Sequence, residues 1–159
     1  INKIDYLDII SKKTKSVNTV LKKKNKLYGF NTDYYSLNKI IKNKKLNKTK
    51  TKILILGNGG VAQTSYHVVK DLKFNNIYLS SRNPKRYKDW KLGKNCKTIE
   101  WKNRNKIKVN ILINATPIGM SNATKEKTPV SISFIKKLNT IIDFTINKKK
   151  IPLKRIQKN

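Results

Sequence analysis

Gly57-Asn58-Gly59-Gly60-Val61-Ala62 directly follows the apolar run Ile53-Leu54-Ile55-Leu56 and opens a helix-like segment. A strand, a tight glycine turn and a helix start together make a cradle for phosphate. Gly57 permits the sharp turn, Gly59 lets the backbone approach a pyrophosphate, and Ala62 is small enough for helix and strand to pack closely. Unpaired N–H groups and the positive end of the helix dipole then face the anion. Gly57, Asn58, Gly59, Gly60 and Val61 are therefore candidate cofactor-binding residues.

A second apolar run, Ile77-Tyr78-Leu79, ends in Ser80-Ser81-Arg82-Asn83. Arg82 stands 25 positions after Gly57, near where dinucleotide-binding domains read the adenosine ribose, about 20 residues on. A carboxylate there accepts hydrogen bonds from the ribose hydroxyls of NAD. This chain instead offers Ser81, Arg82, Asn83 and Arg86, a cationic and hydrogen-bonding set suited to a 2′-phosphate. NADP(H) is the cofactor these residues predict.

The elements around the loop fit that reading. Strands are expected at 52–56, 76–80, 97–101, 109–114 and 140–144, with helices at 60–72, 84–91 and 131–138. Strands alternating with helices predict an α/β, Rossmann-type parallel sheet with helices on both faces. Ahead of it, Ile4 to Lys15 reads as an amphipathic helix with Ile4, Leu7, Ile10 and Thr14 on one face. Val17–Leu21 and Lys26–Phe30 read as strands joined by the turn Lys22–Asn25. Tyr34–Ile41 reads as a helix, with Asp33 placed to cap it. The expected organisation is a partial substrate domain over 1–45, a cofactor domain over 46–148 and a polar tail over 149–159.

The formal charge of +30 would ordinarily suggest a nucleic acid or an anionic membrane as partner. Of 38 basic residues only four are arginine, and the lysines scatter along the whole chain beside abundant Asn and Ile. Lys, Asn and Ile have A/T-rich codons, so base composition accounts for the charge, and no specific nucleic-acid partner is expected. Cys96 is the single cysteine and His67 the single histidine. Neither a disulfide framework nor a metal site is predicted, and a cytoplasmic location is the expectation. No apolar run approaches the roughly 20 residues of a membrane span.

Three further motifs sit in order around the loop: Ser16-Val17-Asn18-Thr19-Val20, Leu27-Tyr28-Gly29-Phe30-Asn31-Thr32-Asp33, and Asn114-Ala115-Thr116-Pro117-Ile118-Gly119-Met120. With Gly57–Ala62 and Ser81–Arg86 they make a set of five, and the chain resembles the shikimate dehydrogenase family from its first helix through Leu153. The resemblance implies NADPH-dependent reduction of 3-dehydroshikimate to shikimate, a small-molecule substrate in aromatic amino acid (chorismate) biosynthesis. It implies Asn18, Thr32 and Asp33 as substrate-binding residues. Asp33 would also be catalytic, paired with a lysine at the reacting carbon. It places Asn114–Met120 and Phe144 beside the nicotinamide. A sister activity on quinate with NAD is disfavoured by Arg82.

The chain also departs from the family pattern. The family's N-V-T-x-P-x-K motif with the catalytic lysine, and an early serine pair, find no match. Asp143 and Phe144 are kept, but Ile146 and Lys148 stand where the family has tyrosine and proline, and Gln157 is in no matching motif. Tyr34 and Ser36 replace glycines and are expected to crowd the domain interface, where the substrate should sit. These departures lead us to expect a piece of a longer enzyme, or a product needing a homodimer partner or complementing chain, with apolar surface left bare around the first 45 residues. A non-catalytic NADP-binding remnant or sensor is the alternative. Replacing Arg82 with Glu should weaken NADPH binding about tenfold or more and NADH binding little, as read by parallel titrations. Equal losses for both cofactors would count against the assignment.

Overall fold

The computed structural model describes residues 3–120 and 128–145. The expectations for Ile146, Lys148, Leu153, Gln157 and the tail lie outside the described residues. Five strands, β4 (Lys52–Leu56), β5 (Asn76–Ser81), β6 (Cys96–Glu100), β7 (Ile111–Asn114) and β8 (Thr140–Asp143), form one sheet in the order β6-β5-β4-β7-β8. Every neighbouring pair is parallel. This is the Rossmann-type arrangement, with the chain reversing direction across the sheet at β4.

Apart from Lys52 and Asn114 at their ends, the central strands β4 and β7 are apolar and buried because both faces are covered. Ile53 and Ile55 of β4, with Ile111 and Ile113 of β7, point to one side. There they meet Leu37 and Ile41 of α2 (Thr32–Asn43) and Tyr66 and Val69 of α3 (Gly60–Asp71). Leu54, Leu56 and Leu112 point to the other side, against Val130, Phe134 and Ile135. The last two belong to α4, a four-residue turn of helix at Ile132–Ile135, shorter than the expected 131–138. The segment expected as a helix over 84–91 is a 3-10 helix, Pro84–Trp90, whose Tyr87 and Trp90 are buried.

A second, smaller sheet precedes this one. Its order is β1-β3-β2, from Tyr6–Leu7, Lys26–Phe30 and Thr19–Lys23. The β2–β3 hairpin turns through Lys24 and Asn25, both at positive φ (47° and 58°), as a two-residue hairpin turn requires. The helix expected over Ile4–Lys15 is instead the short β1 followed by α1 (Ile9–Thr14). The break falls at Asp8, whose carboxylate accepts from the Ser11 N–H at 2.7 Å and caps α1. The apolar surface expected around this sheet is present: Ile9, Val20, Leu21, Tyr35 and Ile40 are all exposed.

Helices α1, α2 and α3 meet at one polar cluster. Asp71 accepts from the Lys13 ammonium and, at 2.6 Å, from the Tyr34 hydroxyl. Burial alone would raise the Asp71 carboxyl, but these two donors hold it below the usual carboxylate range. Tyr34 thus turns toward α3 and fills part of the boundary between residues 1–45 and the larger sheet's helices.

His67, one turn before Asp71, is buried, and desolvation together with Lys13 and Lys70 lowers its pKa from 6.5 to about 4 against the opposing pull of Asp71. Unfolded chain protonates there near pH 6.5, whereas the fold resists until about 4. Stability contributed by neutral His67 is complete above the higher value and is lost as pH falls through that window. Urea midpoints measured from pH 7 down to about 4 should fall for the native chain and flatten in His67→Gln.

Candidate functional site

The glycine loop sits at the carboxyl edge of β4, where the fold expects a ligand. Gly57 has φ +113°, and a Cβ there would stand 2.6 Å from the Ala115 carbonyl oxygen. Both facts require glycine. At Gly59 a Cβ would meet nothing within 4 Å, so the loop faces open space. Gly59 caps α3 without a side-chain bond, leaving the first-turn N–H groups of the helix directed at that space. Val61, half-buried, follows in the first turn, and Ala62 is fully buried against the sheet. At Gly59 the loop presents backbone, and no side chain, to this space.

Ser81, Arg82, Asn83 and Arg86 are brought against the loop. Backbone and side chains tie the two segments: Gly57 N–H donates to Ser80 O at 2.9 Å, and Asn58 Nδ2 donates to Asn83 O. Ser81 is buried, whereas Arg82, Asn83 and Arg86 are exposed. Two cavities flank Asn58 and Gly59. One of about 650 Å³ has Lys15, Gln63 and Arg86 on its walls. The other, of about 280 Å³, is lined by Ser81, Arg82, Trp101 and Pro117 among others. Tyr87 belongs to none of the sequence motifs. Its ring is buried against Trp90, burial pushes its hydroxyl up to about 12, and this stable donor bonds the Gly57 carbonyl at 2.9 Å. Nothing in its spacing marks it, since its partner is 30 positions away.

Beside the small sheet, Asn18 and Thr32 come together. Asn18 Oδ1 accepts from Thr32 N–H at 3.0 Å, from Thr32 Oγ1 at 3.2 Å and from Thr19 Oγ1 at 3.1 Å. Its amide nitrogen has no partner among the described residues. Asp33 does not cap α2. That place belongs to Asn31, whose Oδ1 accepts from Tyr34 N–H at 3.2 Å. Asp33 lies in the first turn, half-buried, with its carboxylate free of hydrogen bonds among the described residues.

Asn31 is fully buried, and its Nδ2 donates to Thr14 Oγ1 at 2.9 Å and Thr64 Oγ1 at 2.8 Å. Those hydroxyls donate in turn to Ile10 O and Gly60 O. One amide therefore joins the small sheet to the helix behind the phosphate cradle. Ser16 adds a second contact, since a Cβ on Gly60 would stand 2.5 Å from its Oγ.

The loop after β7 is built by Asn114, also fully buried. Its Oδ1 accepts from Thr116 N–H (3.1 Å) and Oγ1 (2.7 Å), and its Nδ2 donates to Asp143 Oδ1 at 3.0 Å. Gly119 turns at φ +100°. Phe144 is half-buried beside this loop, its N–H donating to Asn114 O at 3.1 Å.

No family model matches the chain. A shikimate dehydrogenase (NADP(+)) from Clostridium beijerinckii is 38% identical over 162 residues, covering 98% of this chain and 58% of that protein. A second, from Clostridium botulinum, is 34% identical over 154 residues, covering 94% of this chain and 59% of its own length. The crystal structure of shikimate dehydrogenase 1 from Peptoclostridium difficile superposes with a TM-score of 0.82 at 30% identity, over 99% of this chain and 57% of that one. The chain matches the shikimate dehydrogenase family over nearly its whole length. It spans just under three fifths of the length of these relatives.

Cys96 is half-buried, and burial pushes its thiol up to about 12. Among the described residues no helix is long and apolar enough to cross a membrane. Replacing Asn31 with Ala strips the α2 N-terminus of its cap and both threonines of their shared donor. Urea unfolding should show a loss of roughly 2 kcal/mol with an unchanged slope.

Proposed function

We propose that this chain binds NADP(H) along the β4–β7 edge and serves the reduction of 3-dehydroshikimate to shikimate. The division of labour would follow the two sheets, with residues 1–45 facing substrate and 46–148 holding cofactor. The observation that carries the reading is the Asn31 link. It fixes the Asn18–Thr32–Asp33 group relative to the open phosphate cradle, and hydride transfer between two bound molecules needs that fixed alignment.

Bound NADPH would supply the hydride. Gly59 and the first turn of α3 would receive its diphosphate, and Ser81, Arg82, Asn83 and Arg86 its ribose phosphate. The loop held by Asn114 and the neighbouring Phe144 would border the nicotinamide. Asn18, through its unpaired amide nitrogen, and Thr32 would hold substrate hydroxyls. The Asp33 carboxylate would orient and charge-stabilise the group that donates a proton to the developing alkoxide.

A specific observation favours a second reading. Among the described residues no lysine reaches Asp33, so the proton donor would come from elsewhere in the protein or from a partner chain. Without one, the chain is a non-catalytic NADP-binding remnant or sensor. Mixing the chain with NADP⁺ and shikimate, and following NADPH absorbance with cofactor binding alongside, separates the readings. Turnover rejects the remnant. Saturable NADPH binding without turnover rejects catalysis by this chain alone, and no binding rejects both.

A further inference from the structure

Trp101 is the first residue beyond β6, and the β5–β6 register pairs Ser81 with Glu100. Arg82 and Trp101 therefore leave adjacent strands side by side, and both line the cavity of about 280 Å³ at the carboxyl edge. That volume lies at the lower limit of pockets that enclose a whole small ligand, about 300–1,000 Å³. It suits one ring system of a larger molecule whose remainder lies outside. Its other walls include Ala115 and Pro117, which are apolar, and Gly57, which admits a close approach.

The indole is held before any ligand arrives. The Arg104 guanidinium lies 4.1 Å from the ring centroid. Arg104 is itself fixed by Nε donating to Pro129 O at 2.6 Å and Nη1 donating to Trp101 O at 2.9 Å. Trp101 also packs on the core cluster beneath it. A rigid aromatic surface costs little conformational entropy on binding, and every nucleobase offers a π-face to stack on it.

We propose that Trp101 is a binding residue for the purine ring of the dinucleotide, forming the wall of the slot beside Arg82. This rests on the reading that the chain binds NADP(H) and adds a residue to that site. The adenosine half, and not the nicotinamide half, is assigned here because the slot shares Arg82 and Asn83 with the cationic turn.

The probe is adenosine 2′,5′-bisphosphate, which carries the base and the ribose phosphate and lacks nicotinamide, titrated while tryptophan emission is read. Native chain should bind it and lose emission. Trp90→Phe should keep that response and Trp101→Phe should lose it while binding within about threefold of native, since a phenyl face still stacks. Trp101→Ala should bind the probe about tenfold more weakly and leave nicotinamide mononucleotide binding unchanged. Failure of the native chain to bind the probe removes the cofactor reading itself. Binding by the native chain with native-like affinity in a folded Trp101→Ala overturns the inference alone. An emission response that survives in Trp101→Phe overturns it too, and that readout decides the matter if the alanine variant does not fold.

Discussion

A carboxamide sealed from water must have its donors and acceptors met inside the protein, and Asn31 meets all of them through three different segments. That requirement fixes much else. The end of α1, the start of α2 and the first turn of α3 can occupy only the positions from which they reach this one side chain. Because Thr32 and Asp33 follow Asn31 directly, and Gly60 accepts from Thr64, the polar groups at the head of the small sheet inherit their distance from the glycine loop. Burial of the network in low dielectric stiffens it further, since none of its members has water to fall back on.

The parallel sheet supplies the second constraint. Its central strands β4 and β7 are largely apolar on both faces, so their positions are set by packing, and the carboxyl ends of the sheet bring four loops to one edge. What those loops do is then decided by short polar tethers. Asn58 holds the turn after β5, Asn114 shapes the loop after β7, and the Tyr87 hydroxyl holds the glycine loop from behind. Each tether is a side chain acting on backbone, which leaves the exposed cations Arg82 and Arg86 unencumbered.

Much of this was legible in the sequence. The run Ile53–Leu56 and the glycines after it define a buried strand and its turn by local chemistry alone, and the parallel order follows from alternation. The residues that could not be read are those whose partners are remote. Tyr6 and Leu7 continue the helical spacing of the following segment, yet pair with Tyr28 and Gly29 across the sheet. Asp33 has the right chemistry for a cap, but Asn31 stands two residues earlier and takes the place, which frees the carboxylate. Asn31 and Ser16 lay inside motifs already noticed, with nothing local to say that they join the two sheets. The 3-10 helix at Pro84–Trp90 likewise follows from burial of Tyr87 and Trp90, a tertiary fact.

The contact of Ser16 with Gly60 bears on how such a chain can change over time. The two residues lie on different sheets' territory, yet a side chain at Gly60 would require Ser16 to move, because its Cβ would stand 2.5 Å from the serine Oγ. A glycine loop transplanted from another dinucleotide-binding protein, carrying any larger residue at that position, would collide with the grafted-on neighbour. The two halves are therefore coupled at this point, and a larger residue at position 60 calls for a rearranged or smaller residue at position 16.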